Sequence, residues 1–122
     1  MQAHAIVDRL LEADIPLPDA KATQRMLRKM FVPGSQWQRI NYRFPTKQLG
    51  QSYTDLKVIP PGQPVTVKVI KAIVDAIVFQ LPDGQTSYLT YPNQEIVKAR
   101  QVYPTGVEFE DTRGPLLSYR PV

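Results

Sequence analysis

The chain has 122 residues, 43% hydrophobic and 21% charged, with a net charge of +4. That balance supports a folded core and excludes both global disorder and two independent domains of ordinary size. It holds no cysteine and one histidine, which excludes disulfides, thiolate metal sites, iron–sulfur clusters and cysteine nucleophiles.

The N-terminal stretch MQAHAIVDRLLEAD has no basic region followed by an apolar core, so it does not read as a signal peptide, and a cytoplasmic location is the default. Residues 3–13 instead predict a short amphipathic helix, with Ala3, Ile6, Val7, Leu10 and Leu11 on one side and Asp8, Arg9 and Glu12 opposite. Pro16 and Pro18 end it. A second helix is expected over about 19–31, with Asp19 near its N-cap. Thr23, Met26, Leu27, Met30 and Phe31 form its core face; Lys21, Arg25, Arg28 and Lys29 form a basic stripe roughly opposite.

From residue 35 the pattern changes to strands. In SQWQRINYRF, period two puts Ile40, Tyr42 and Phe44 on one face, read as core, and Trp37, Arg39, Asn41 and Arg43 on the other, read as surface. Pro45 stops this strand, and a polar linker with Gly50 leads to the turn Pro60-Pro61-Gly62. PVTVKVIKAI and VDAIVFQL follow, then a tight Pro82-Asp83-Gly84 hairpin into QTSYLTY. EIVKARQVY is rich in strand formers, and turns at Thr105-Gly106 and Arg113-Gly114-Pro115 bracket VEFE and lead into LLSYR.

Two helices followed by five or six short strands, with turns every eight to twelve residues, predict an α+β fold. Its architecture would be an N-terminal helical hairpin packed on a small antiparallel β-barrel of OB or SH3-like type. The chain then divides into two helices (1–31), a strand and flexible linker (35–55) and the barrel (56–122), all in one domain (1–122). Residues 62–89, with Gly62, Val65, Val67, Val69, Phe79, Leu81, Asp83 and Gly84, resemble the opening strands of an S1-type OB fold. The resemblance implies a β-barrel. It departs from the family in having no glycine within the first strand and no exposed aromatic beside it.

The residues argue against an enzyme. His4 would have to serve alone as base, nucleophile partner or metal ligand. Glu108 and Glu110 share one strand face with Phe109 on the other, the pattern of a half-exposed strand, while Asp55, Asp75 and Glu95 have no motif spacing. The six glycines are scattered singly, so no phosphate loop exists. No catalytic residue, metal or cofactor is expected.

The strongest signal is charge distribution. Residues 20–54 carry seven basic and no acidic residues, whereas the rest of the chain carries eight basic and eleven acidic. Several cations on one surface suit a phosphate backbone, and a tryptophan beside an arginine suits exposed bases. The expected function is therefore non-enzymatic nucleic-acid binding with little sequence specificity, single-stranded DNA or RNA slightly preferred. It would use Trp37, Arg39, Arg43, Lys21, Arg25, Arg28, Lys29 and Lys47. The alternative is a protein-interaction module or a small subunit of a larger complex, with a homodimer through an unpaired strand allowed. Apolar runs interrupted by lysine, aspartate and proline give no membrane span.

Overall fold

A computed structural model describes residues 15–16, 19–43, 46–51, 58–102 and 105–122. Helix α1 spans Ala20–Met30, and Asp19 caps it: its carboxylate accepts from the Ala22 N–H at 2.7 Å. The Thr23 hydroxyl donates to the Asp19 carbonyl at 2.8 Å, tightening the same turn. Pro33 prevents continuation, and Gly34 takes the left-handed φ of +89° that reverses the chain. Gly34 N–H then donates to Val69 O, and Val69 N–H to Ser35 O, both at 2.8 Å, so the turn delivers the next strand directly against its neighbour.

The strands are β1 (Ile15–Pro16), β2 (Gln36–Asn41), β3 (Val65–Ala72), β4 (Ala76–Gln80), β5 (Thr86–Thr90), β6 (Lys98–Val102), β7 (Gly106–Asp111) and β8 (Gly114–Pro121). A 3₁₀ turn, Lys47–Leu49, lies between β2 and β3 in the chain. All pairings are antiparallel, in the order β1-β6-β7-β8-β2-β3-β4-β5. Seven strands thus form an open sheet, with the two-residue β1 along the edge of β6. In the β4–β5 hairpin Gly84, at φ +89°, donates to Leu81 O, and Asp83 accepts from the Gln85 N–H at 3.0 Å.

This corrects the expected architecture. The sheet has two edges, β5 on one side and β6 with β1 on the other, so it is not a closed barrel of OB or SH3-like type. The described residues hold no helical hairpin either: α1 is the one α-helix among them, and residues 3–13, where the other was expected, lie outside them. The physical reason is pairing. Strand β2 joins β8 on one side and β3 on the other, so it fills the middle of the sheet and leaves β5 and β6 unpaired with each other.

The sheet curls around its inner face. The rings of Phe79 on β4 and Tyr119 on β8 stack with centroids 5.0 Å apart, although β2 and β3 lie between those strands. In a flat sheet three strand spacings separate their backbones by about 14 Å. Phe31, at the end of α1, contacts Trp37, Phe79 and Tyr119 edge-on at centroid distances of 4.9, 5.2 and 5.1 Å. Leu27 from α1 joins Val67, Val69, Ile77, Leu89, Val107, Phe109 and Leu117 of the sheet in the same core. Helix α1 therefore covers the concave face, while Thr66, Lys68, Gln80 and Thr86 stand on the convex one.

Candidate nucleic-acid interface

The residues expected to form one basic and aromatic surface are divided between the interior and the exterior. Lys21, Arg25, Arg28 and Lys29 are all exposed on α1, on the side away from buried Thr23, Leu27 and Phe31. The helix contains no acid, and its first turn has none to draw these cations in. The side chains of Lys21, Arg25 and Lys29 make no hydrogen bond or ion pair with any described residue. A hollow of about 280 Å³ lies among Lys21, Gln24, Arg25 and Arg28.

Arg28 is different from its neighbours. Its Nε donates to Tyr91 Oη at 2.9 Å and its Nη2 to Ile73 O at 3.1 Å, while the guanidinium lies 5.7 Å from the Tyr91 ring centroid. It straps α1 to the β3–β4 turn and to the residue after β5. Gln94 does the same at the other end of the helix, donating to the Thr23 hydroxyl at 2.7 Å. These contacts fix the helix with its cationic side outward.

Strand β2 is turned over relative to the sequence expectation. Trp37, Arg39 and Asn41 point into the core, with Trp37 only 7% and Arg39 0% exposed, whereas Tyr42 is 41% exposed and Ile40 is half-buried. The Trp37 ring packs against Phe31, and its Nε1 donates to Ser35 Oγ at 3.0 Å, so its face is spent inside the protein. Phe44 lies outside the described residues. The reading of Trp37, Arg39 and Asn41 as a surface, and of the opposite face as core, is corrected: the aromatic cluster around Phe31 takes the tryptophan, and the rest of its strand face follows.

Arg43, half-buried just beyond β2, is also committed. Its Nε donates to Pro115 O at 3.1 Å and its Nη2 to Gly114 O at 2.7 Å, and it forms an ion pair with Asp111. The hydrogen bond from Arg43 is the main reason the Asp111 carboxyl is pulled from 3.8 to about 2; partial burial opposes this, and the Arg113 N–H at 2.8 Å adds to it. Lys47 is exposed on the 3₁₀ turn, which Gly50 seats close to Thr90 on β5. On β7, Glu108 and Glu110 face Arg100 of β6, the Glu108 contact at 3.7 Å. These acids are therefore satisfied locally.

Sequence reasoning missed two sets of residues. The convex face carries Gln36, Thr66, Lys68 and Gln80 around a hollow of about 300 Å³, and Lys71 beyond the irregularity between Val69 and Lys71. The alternation of VTVKVIK carries the signal for Lys68, because Val67 and Val69 are buried. The second set is a polar cluster inside the sheet, Arg39, Asn41 and Ser87. Among the described residues no group of three His, Cys, Asp or Glu could hold a metal ion, and no helix is long and apolar enough to cross a membrane. No family model, curated protein or solved structure matches this chain.

Proposed function

We propose that this chain is a non-enzymatic protein that binds nucleic acid through phosphate contacts from the exposed face of α1, in the cytoplasm. The observation that carries the reading is that Lys21, Arg25 and Lys29 project from one acid-free helix face with no counter-charge among the described residues. At 1.5 Å per residue they are spaced about 6 Å apart along the axis, which lets adjacent cations engage successive charges of a polyanion. With Trp37 inside the core, base stacking is not part of the proposal. Phosphate contacts alone carry little sequence information, and single strands and duplexes both offer them.

The test is anisotropy of labelled single-stranded DNA, duplex DNA and RNA, at low salt and again with salt raised fourfold, on the wild type and on K21A/R25A/K29A. Three phosphate contacts predict a weakening of about 20- to 40-fold over that salt step, and most of the affinity lost in the triple variant. Absence of binding to all three ligands at low salt, or unchanged binding by the triple variant, refutes the reading. Arg28 is left intact because its loss would loosen the helix itself.

A second reading, a protein-interaction module or self-association, draws on one observation: β5 is a sheet edge, and its Tyr88 is 44% exposed. Edge strands accept an added strand through their main chain. Size-exclusion chromatography over a hundredfold range of concentration tests the self-associating form, which predicts earlier elution at high concentration.

A further inference from the structure

The interior of the curled sheet holds a full formal charge. Arg39 is completely buried, with Trp37 and Asn41 beside it on β2, Val65 opposite on β3 and Tyr119 opposite on β8. Its Nε donates to Asn41 Oδ1 and its Nη1 to Ser87 Oγ, both at 3.1 Å, and its guanidinium lies 5.7 Å from the Tyr119 ring centroid. Every one of these partners is neutral. Arg39 Nη2 and Asn41 Nδ2, both buried donors, have no hydrogen-bond partner among the described residues. No described acid pairs with Arg39; Arg43, Arg100 and Arg113 are the arginines that form ion pairs with described acids.

Guanidinium chemistry says what this arrangement lacks. Nε and Nη2 share one edge of the planar group, the edge that a carboxylate takes with two oxygens. Here that edge meets a single amide oxygen, and a second donor, the Asn41 amide nitrogen, belongs to the same side chain. Buried charge is ordinarily neutralised and buried donors ordinarily bonded, because the interior offers neither with water in compensation.

We propose that Arg39 Nη2, together with the Asn41 amide N–H, is a buried receptor for one small monovalent anion from solution, a halide or a carboxylate. One positive charge calls for one negative charge, and the two unpartnered donors give it two hydrogen bonds. A divalent oxyanion would only reverse the imbalance. The receptor is separate from the cationic face of α1 and does not depend on it.

The competing source of negative charge is the chain's own Asp55, the first acid after the acid-free window and outside the described residues. The experiment follows thermal unfolding of the full chain while chloride, and separately formate, replaces a bulky sulfonate at constant ionic strength, for wild type, D55N and N41D. Wild type is expected to gain about 5 °C in Tm, saturating by roughly ten times the half-maximal concentration. D55N should show the same gain. N41D places a carboxylate against the same guanidinium edge with almost no change in shape. It should melt higher than the wild type without added anion and lose the anion-dependent shift. The absence of a saturable shift in the wild type overturns the proposal. So does a wild type that ignores both anions while D55N melts lower, because the charge is then met within the chain.

Discussion

Asp111 links a single contact to the behaviour of the fold in acid. Arg43 donates to it from beyond β2, Arg113 contributes a backbone N–H and a cation 3.5 Å away, and together they hold the carboxyl at about 2 rather than 3.8. The folded value lies below the unfolded one, so the stabilisation is present above about pH 4 and disappears as pH falls towards 2. Urea midpoints measured across that interval are expected to fall in the wild type, and D111N should remove part of the slope while being less stable than wild type at pH 6. Strand β2 shows where residue-level reasoning stops. Both faces of QWQRIN alternate equally well, and arginine is seldom fully buried, yet Arg39 is inside. What decides the face is an aromatic group assembled from Phe31, Phe79 and Tyr119, on three other parts of the chain. Nothing within the strand encodes it.

Elements were more legible than residues. Helix α1 begins beside the expected cap, buries the expected Thr23 and Leu27 and ends before Pro33, since capping chemistry and a 3.6-residue period are local properties. Replacing Asp19 with alanine removes the acceptor of the Ala22 N–H, and the expected cost is about 1 kcal/mol, a drop of about 4 °C in Tm by calorimetry. Strands β3, β4, β5, β7 and β8 also follow alternation and turn signals in the sequence. Their order does not, because turn spacing says where strands end and not which ones pair. The β2–β8 ladder joins Trp37 to Pro121 and Asn41 to Leu117, partners from opposite ends of the chain. A close approach on a neighbouring ladder gives a direct test of that packing. A Cβ on Gly106 would stand 2.6 Å from the Tyr119 carbonyl and 3.1 Å from a Val102 methyl. G106A should therefore force β7 away from β8 and cost about 1–3 kcal/mol in denaturant unfolding.

At the scale of the whole molecule, the layering separates two positive surfaces. Leu27 and Phe31 pin α1 to the concave face, so Lys21, Arg25 and Lys29 look away from the sheet. Lys68, flanked by buried Val67 and Val69, projects from the convex side among Gln36, Thr66 and Gln80. A protein with a modest net charge of +4 can attract a polyanion diffusely, through the sum of its charges, or through one patch. Variants matched in charge but placed on opposite faces distinguish these cases. If α1 is the docking surface, K21A/R25A should reduce nucleic-acid affinity by at least about tenfold at low salt and lower the slope of log K against log salt by about two. K68A/K71A removes the same net charge and should leave the slope within experimental error of the wild type. Equal losses from both pairs would mean that the molecule responds only to total charge, and the assignment to α1 would then be withdrawn.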